Sequence, residues 1–405
     1  MEMQVARSAW AEVDLDRLRH NIQIIINKIT PEVKLMAVVK ANAYGHGAVE
    51  VAKAAIAHGV YAFGVATIAE GIELRQAGIA APILILGAID AREVHAVVEY
   101  LLTPSVFTLP VARALHLVAQ KKQVKVQYHL RIDTTGGSLG IEVGDVVAFL
   151  NKTKELSGLE LSGIYTHLYS SYGQDDILVR QQISKFNNIV DDVKELMPQP
   201  IVVHAASTPG IVNWPETYYD MVRAGNILYG LAPEMDSDHY SKVIIRECIA
   251  VAKECKPVMQ LKARIADVRK IAPGNLWVYG HQQLIDKETI IATVPLGYAD
   301  GFPLAYIQNA QILIGGKKVA VLGKVVMDYF IVDVTELAGV AIGDEVVIWG
   351  EQAGETVTVD EIALHSRIRT VQGTSKVVET RISRASLCLL STRLPRLYIG
   401  SEQTG

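Results

Sequence analysis

From about Trp10 to Tyr229 the chain alternates short apolar runs, rich in β-branched residues, with longer runs of helical periodicity. This alternation is typical of repeated strand–helix units that build a parallel sheet. Eight runs have the length and composition of strands, at 35–40, 61–66, 83–87, 103–107, 126–133, 161–167, 201–205 and 221–225. No GxGxxG motif marks an open dinucleotide-binding sheet. The sequence therefore predicts an α/β fold with an N-terminal (β/α)8 barrel of the TIM type.

After about Cys248 the helical periodicity gives way to short strand-like runs joined by turn residues, which predicts a mostly β domain. Six such runs lie at 262–268, 289–295, 311–314, 317–322, 330–334 and 344–349. A chain of 405 residues also exceeds what one hydrophobic core usually supports. We therefore expect a barrel over residues 10–245 and a C-terminal β domain over residues 246–400, against which residues 1–9 could pack.

The composition excludes several classes of function. A formal net charge of -4 with scattered Lys and Arg provides no basic stripe for nucleic acid, so the expected partner is a small molecule. The apolar runs fall far short of the roughly 18 residues of a membrane span. Residues 1–10 lack the apolar segment of a signal peptide, so we expect a cytoplasmic location and no membrane partner. The spacings of Cys248, Cys255 and Cys388 suit neither a disulfide framework nor a zinc site, and no metal is predicted.

Catalytic groups in a (β/α)8 barrel lie at the carboxyl ends of the strands, so these positions are the candidates for a site. Here they carry Lys40, Tyr44, Arg131, Asp133, His167, His204, Ser207, Thr208, Arg223 and Gly225. A lysine at the end of an apolar strand could be desolvated there, which favours a free amine able to condense with an aldehyde. Pyridoxal phosphate (PLP) needs such an amine, and Thr208, Gly225 and the turn after Arg223 could bind its phosphate. His204, taken alone, is equally well interpreted as a packed core histidine.

Several motifs, in order along the chain, are similar to those of the alanine racemases. The run VVKANAYGHG at 38–47 resembles the cofactor-lysine signature of that family, with Lys40 as the lysine that carries PLP. Further similar motifs are AEVDL at 11–15, GIYTH at 163–167, RAG at 223–225, LYG at 228–230, PLGYADG at 295–301, MD at 327–328 and RLPR at 393–396. The resemblance extends over about residues 7–350 and again over 393–396, and the barrel and β domain of the family match the predicted layout.

The resemblance implies a PLP-dependent racemase that interconverts L-alanine and D-alanine and so supplies D-alanine for cell-wall peptidoglycan. Its two bases would be Lys40 on one face of the substrate and Tyr298 of the partner subunit on the other, in a head-to-tail homodimer with shared active sites. Arg223 would face the pyridine nitrogen and leave it unprotonated, which disfavours transamination. The other implied contacts are made to the cofactor by Tyr44, His167, Thr208, Gly225 and Asn226, and to the substrate carboxylate by the Met327 amide.

Three stretches of the chain depart from the family pattern. The family run Lys-x-Asp-Thr-Gly-Met-x-Arg-Leu-Gly is RIDTTGGSLG at 131–140, so Arg131 replaces a lysine and Ser138 replaces a cofactor-contacting arginine. We hypothesise that Arg131 alone does the work of that pair, and we assign it to substrate binding. Ser207 stands where the family usually has asparagine, and residues 373–377 do not match the family's Thr-Ile-Asn-Tyr-Glu run.

These departures bear on the substrate more than on the reaction. A racemase of serine or of a basic amino acid therefore stays open, as does a non-catalytic PLP-binding protein. Proteins of the latter kind resemble the barrel alone, whereas this chain has a second domain with Tyr298 and Met327. A decarboxylase of the same architecture is expected to have glutamate in place of Arg223 and a catalytic cysteine in the second domain, and neither feature is recognisable here.

Overall fold

The structure is a computed structural model that describes residues 7–168, 176–197, 199–231, 250–251, 253–278, 281–302, 310–365, 368–370, 378–380 and 387–400. The predicted domain boundary at 245/246, Cys248 and the 373–377 run lie outside these residues.

The described chain begins with strand β1 (Ala9–Asp14) and helix α1 (Leu15–Lys28). The helix begins where it does because the Asp14 side chain accepts hydrogen bonds from the amides of Asp16 and Arg17, at 2.9 and 3.0 Å. Such a capping residue satisfies amides that have no partner within the helix. The buried face of α1 consists of Leu18, Asn21, Ile22 and Ile25.

Eight parallel strands form the barrel. They are β2 (Lys34–Val38), β3 (Ala62–Val65), β4 (Ile83–Ile85), β5 (Thr103–Val106), β6 (Val126–Asp133), β8 (Leu159–Tyr165), β9 (Val202–His204) and β10 (Met221–Ala224), and a two-residue strand β7 (Ile141–Glu142) pairs with β6. Their order is β10-β2-β3-β4-β5-β6-β8-β9. Hydrogen bonds from Asp220 N to Val203 O and from Arg223 N to Ala206 O, at 3.0 Å each, nearly close the barrel between β9 and β10. All eight predicted strands are present, and the predicted fold class is confirmed.

Helical segments follow most of the barrel strands. They are α2 (Lys40–Tyr44), α3 (Ala48–Ile56), α4 (Ile68–Gln76), α5 (Val94–Glu99), α6 (Leu109–Lys122), α7 (Val146–Lys154), α8 (Asp176–Leu196) and α9 (Thr208–Asn213), with 3-10 helices at Val143–Asp145, Pro215–Thr217 and Asn226–Tyr229. Within the described residues, none of the helices has the length and apolar character needed to cross a membrane. One buried cluster of strand side chains consists of Met36, Ala62, Leu84, Tyr165 and Met221. Side chains of this kind fill the interior of a small barrel and leave its mouth as the place for a site.

The second domain is built on a mostly antiparallel sheet. Its elements are β11 (Met259–Arg264), β12 (Asp267–Ile271), β13 (Gly274–Val278), β14 (His281–Ile285), β15 (Thr289–Val294), β16 (Gln311–Ile314), β17 (Lys317–Leu322), β18 (Phe330–Asp333), β19 (Glu345–Gln352), β20 (Glu355–Val357), α10 (Val359–His365), β21 (Ile368–Thr370), β22 (Val378–Thr380) and β23 (Arg396–Ile399). The single strand predicted at 262–268 is wrong. Ile265 N bonds Asp344 O and Ala266 N bonds Thr293 O, so the chain changes partners between β11 and β12.

Strand β1 joins the sheet of the second domain. It pairs antiparallel with β11, where Ala11 lies opposite Leu261, and parallel with β23, where Ala11 lies opposite Arg396. Residues 10–14, which the sequence groups with the barrel, therefore lie in this sheet. Alternate residues Ala9, Ala11 and Val13 are fully buried, because one face of the strand packs into the core.

Candidate active site

Lys40 follows β2 at the mouth of the barrel and begins a left-handed turn. The next four residues, 41–44, have φ between 52° and 54°, a conformation that costs about 1–2 kcal/mol per residue when no glycine is present. Surrounding side chains hold the turn. Glu70 Oε1 accepts a hydrogen bond from Ala41 N at 2.7 Å, and Asn42 Oδ1 accepts one from Ala48 N at 2.8 Å. Strain that is fixed by its surroundings in this way is typical of functional sites.

His46 and Tyr229 support the turn from behind. The His46 ring stacks on that of Tyr229 at a centroid distance of 4.6 Å, and its Nδ1 donates to Ala43 O at 2.9 Å. Tyr229 Oη donates to Val38 O at 2.8 Å. Burial lowers the pKa of His46 to about 4, so this ring is neutral at pH 7.

Arg396, from the last strand, ties the C-terminal segment to the same turn. Its Nε donates to Gly45 O at 3.1 Å. Its terminal nitrogens donate to three carbonyls of that segment, those of Leu390, Ser391 and Leu394, at 2.7 to 2.9 Å. The second domain therefore contacts the barrel directly behind Lys40.

Tyr44 and Gly225 meet at the mouth of the barrel. A Cβ at position 225 would lie 3.0 Å from Tyr44 Oη, so a side chain there would press on that hydroxyl. Thr208 begins α9 and Asn226 begins a 3-10 helix, and both residues are 7% exposed. The first N–H groups of a helix have no partner within it, which suits an anion. The four residues predicted to bind phosphate thus lie at the ends of neighbouring elements with donors of the required kind.

The Arg223 guanidinium is buried and held by three hydrogen bonds. Nη1 donates to His204 Nδ1 at 2.8 Å, and Nη2 donates to the carbonyls of Thr166 and Ala205 at 2.9 and 3.0 Å. Burial lowers its pKa to about 10, so it remains a cation at neutral pH. Three of its five N–H bonds have these partners in the described part of the chain, which leaves donors for an acceptor atom of a ligand.

Two buried histidines support Arg223. The sequence left His204 open between a site residue and a packed core histidine, and it did not single out His129. Because His204 Nδ1 accepts from Arg223, its proton lies on Nε2, which donates to His129 Nδ1 at 2.9 Å. Burial and the charge of Arg223 lower the pKa of both rings, that of His129 to about 3. His129 lies two residues before Arg131 on β6, and residues two apart share one face of a strand. That alternation is the signal that could have found it.

His167 lies among the cations of the site. Burial and the charges of Arg223, Arg131 and Lys40 lower its pKa to about 3, so it is neutral at pH 7. Contacts place the predicted residues near one another. Arg223 Nη2 binds the carbonyl of Thr166, the residue before His167, and the guanidiniums of Arg223 and Arg131 lie 5.3 and 5.8 Å from the centre of the Tyr165 ring. Lys40 follows β2, which pairs with the strand of Arg223. Arg131 Nη1 donates to Leu86 O at 2.9 Å.

Asp133 is satisfied by the loop that follows β6. Its Oδ1 accepts from Thr135 N and Thr135 Oγ1, and its Oδ2 accepts from Ser138 N, at 2.6 to 2.8 Å. Burial acts to raise the pKa of Asp133, but these hydrogen bonds outweigh it and lower the pKa to about 2. Asp133 therefore shapes the loop that carries Ser138.

Tyr298 and Met327 lie together on the second domain. Tyr298 N donates to Val326 O and Ala299 N donates to Met327 O, each at 3.0 Å. Their side chains are 41% and 52% exposed. The two residues are thus held next to each other and are accessible to a second chain.

The chain folds into a barrel followed by a β domain, and the mouth of the barrel carries a lysine, neutral imidazoles and a buried arginine. These features define a class of two-domain barrel proteins. Family profiles described as alanine racemase, N-terminal domain, and alanine racemase, C-terminal domain, match residues 13–233 and 258–398. The chain belongs to the alanine racemase family.

Relatives match over nearly the whole chain. The alanine racemase of Desulforamulus reducens is 38% identical over 392 residues, which is 96% of this chain and 99% of that protein. The structure of alanine racemase from Clostridium difficile 630 has a TM-score of 0.85 at 31% identity, covering 98% of this chain and 97% of that one. Alanine racemase from Bacillus anthracis with bound L-Ala-P has a TM-score of 0.85 at 30% identity, covering 98% and 96%.

Proposed function

We propose that this chain is a PLP-dependent alanine racemase that interconverts L-alanine and D-alanine. The observation that carries the proposal is the mouth of the barrel, where Lys40 follows β2, the strand paired with that of buried Arg223, and Arg223 binds the carbonyl of the residue before His167. Full-length similarity to proteins named alanine racemase supports it. Similarity to the Bacillus anthracis enzyme with bound L-Ala-P supports it further.

The residues present fit PLP. Lys40 offers an amine for the aldehyde, and Arg223 retains N–H donors suited to an unprotonated pyridine nitrogen. Tyr44, Thr208, Gly225 and Asn226 would hold the phosphate. The missing side chain at Gly225 supports this assignment, because it leaves the space beside Tyr44 Oη that a phosphate oxygen needs.

The two faces of the substrate are served by two bases. When bound, PLP stabilises the negative charge that develops on the α-carbon of the amino acid. Lys40 holds or releases the α-proton on one face, and Tyr298 of the partner subunit does so on the other. Arg223, with a pKa of about 10, does not transfer its proton to the ring nitrogen, so PLP would be a weaker electron sink there. A weaker sink favours reprotonation of the substrate at the α-carbon and disfavours transamination.

The proposed assembly is a head-to-tail homodimer in which each site takes residues from both subunits. The exposure of Tyr298 and Met327 supports it, because both are large side chains that the described part of their own chain leaves accessible to a partner. In this arrangement the Met327 amide binds the carboxylate of a small amino-acid substrate. We place the enzyme in the cytoplasm, where it supplies D-alanine for peptidoglycan.

Racemisation of another amino acid, serine or a basic one, is the second candidate. The observation that favours it is the replacement of the family's lysine and arginine by Arg131 and Ser138, which changes the charges at the mouth. A non-catalytic PLP-binding protein is less consistent with the chain, because Tyr298 and Met327 are held together on a second domain.

The deciding experiment mixes the purified protein with PLP and L-alanine in deuterium oxide. Loss of the α-proton signal is followed by NMR and product chirality by chiral chromatography. We expect exchange together with D-alanine, and loss of both in Lys40→Ala. Exchange with only L-alanine recovered would mean that Tyr298 does not act, and exchange with serine or lysine but not alanine would establish the second candidate.

Arg131, which stands where the family has a lysine, can be tested by substitution. We expect Arg131→Ala to lower turnover about 10- to 100-fold and to shift the absorbance of the bound cofactor, because it removes one of three cations around His167. Arg131→Lys, which keeps the charge, should recover part of the loss. An unchanged spectrum and turnover in Arg131→Ala would contradict the assignment.

A further inference from the structure

Asp300 is a fully buried carboxylate two residues after Tyr298, in the same 3-10 helix. Its oxygens pair with both terminal nitrogens of Arg7, at 2.5 and 2.7 Å. Arg393 Nε lies 3.4 Å from Oδ1, and Gly297 N donates to Oδ2 at 2.9 Å. The carboxylate therefore joins the residue before Tyr298 to arginines from the two ends of the chain.

Arg393 also binds the segment that carries Met327. Its Nη2 donates to Asp328 Oδ1 at 2.8 Å, and Asp328 directly follows Met327. The same two segments are already joined by the hydrogen bond from Tyr298 N to Val326 O. Arg393 thus adds a side-chain link between the turn of Tyr298 and the turn of Met327. We call Arg7, Asp300, Arg393 and Asp328 the arginine–aspartate cluster.

The two halves of this cluster differ in how much they contribute to the stability of the fold. Asp300 is fully buried, and a buried carboxylate must keep its partners because an uncompensated charge away from water is strongly unfavourable. The pair between Arg393 and Asp328 is about half exposed, and such pairs add little to stability. The contribution of Arg393 is therefore mainly geometric, since it fixes where the two turns lie relative to each other.

We propose that the arginine–aspartate cluster positions Tyr298 and Met327 for the substrate, so that inversion depends on it while proton removal by Lys40 does not. The inference rests on the proposed function and deepens it. Arg393 and Asp300 act as positioning residues, since neither touches the reacting atoms. Lys40 belongs to the barrel, and the turn that follows it is held by side chains outside the cluster, those of Glu70, Asn42 and Arg396.

The two faces of the substrate make the proposal measurable. With the isomer whose α-proton faces Lys40, that residue removes the proton, which then exchanges with a deuteron of the solvent. Return of the deuteron by Lys40 gives the same isomer labelled at the α-carbon, whereas protonation by Tyr298 gives the opposite isomer. A loosened Tyr298 should therefore raise the ratio of exchange with retention to inversion for one of the two isomers.

The experiment compares Arg393→Gln, Asp328→Asn and Asp300→Asn with the wild-type holoenzyme in deuterium oxide, starting from each isomer of alanine. In Arg393→Gln we expect the ratio of retention to inversion to rise about 10- to 100-fold for one isomer, as for a base displaced by about 1 Å. A second readout needs no turnover: in PLP-free protein, amide hydrogen exchange of residues 297–301, followed by mass spectrometry, should be faster. If Asp300→Asn does not fold, the other two variants carry the test.

Arg17→Gln is the matched control. Like Arg393, Arg17 is an arginine paired with a carboxylate of the second domain, Glu351, at 3.1 Å. Its other contacts, with Asp14 and Pro257, lie away from both turns, so its ratio and its exchange at 297–301 should match the wild type. Equal losses of exchange and inversion in Arg393→Gln, or no change in either, would overturn the positioning role. Absence of any exchange in the wild type would overturn the proposed function itself, and this inference with it.

Discussion

Four histidines of the barrel share one electrostatic property. Burial lowers the pKa of His46 to about 4, those of His129 and His167 to about 3, and that of His204 well below its usual value. Each is neutral in the folded chain, whereas in the unfolded chain each takes up a proton near pH 6.5. Below pH 6.5 the unfolded state therefore binds more protons than the folded state. The contribution of these histidines to the free energy of unfolding is complete above pH 6.5 and is lost as the pH falls toward their folded pKa values.

His46 allows this pH dependence to be measured away from the substrate. His46→Gln can keep a donor for Ala43 O while removing the proton that titrates. Urea unfolding at pH 6.0, 5.5 and 5.0 should show a free energy that falls less steeply than in the wild type, by about 1 kcal/mol per pH unit. An identical slope would mean that His46 is protonated, or exposed, in the folded chain.

Gly225 gives a second prediction at the scale of one residue. Gly225→Ala places a Cβ 3.0 Å from Tyr44 Oη and should weaken PLP binding about 10-fold or more, because the hydroxyl must move from the proposed phosphate site. Gly144→Ala is the control, since nothing lies within 4 Å of a Cβ there. Fluorescence titration with PLP measures both. Equal affinities in the two variants would argue against a phosphate beside Tyr44.

At the scale of an element, the left-handed turn after Lys40 is held from both domains. Arg396→Met removes four hydrogen bonds to carbonyls and should lower the free energy of unfolding by about 2–3 kcal/mol and also weaken PLP binding. Arg75→Met is the matched control, because Arg75 also donates hydrogen bonds to four carbonyls, including those of Tyr100 and Leu101, and lies away from this turn. Urea unfolding and PLP titration should show that both variants lose stability and only Arg396→Met loses affinity.

The elements show where sequence reasoning succeeds. Buried parallel strands are continuous apolar runs, so all eight barrel strands could be predicted, and Lys40, Arg131, His167 and Arg223 could be placed together from the rule of strand ends alone. The hairpin of β13 and β14 was missed because its strands, with Gln282 and Gln283, lack the alternation of a half-buried strand.

The rest of the site could not be predicted because it depends on three-dimensional contacts. Nothing in the residues 41–44 favours positive φ, since Asn42 is the only one with some tolerance for it. The conformation is imposed by contacts with Glu70 and with the C-terminal segment, which are distant in sequence. The bonds of Arg223 to His204, and of Arg7 to Asp300, likewise appear only once the chain has folded.

At the scale of the whole molecule, the proposed shared site predicts complementation. Lys40→Ala and Tyr298→Phe chains, each inactive, are unfolded together and refolded as a mixture. Each mixed dimer regains one intact site of its two, from Lys40 of one chain and Tyr298 of the other, so random pairing should restore about a quarter of the wild-type activity. Racemisation is followed by chiral chromatography. No recovery in dimers verified by mass spectrometry would show that both bases come from one chain.

The pairing of β1 with β11 and β23 has a consequence for synthesis on the ribosome. Strand β1 has partners that follow more than two hundred residues later, and the last of them lies at Arg396–Ile399. At about 5–20 residues per second, β1 waits on the order of 20 to 80 seconds for its final neighbour. The barrel can form during that interval, while the apolar face of Ala9, Ala11 and Val13 stays uncovered. A nascent chain of this protein therefore carries an unpaired strand, which is the kind of segment that chaperones protect, until β23 has been synthesised.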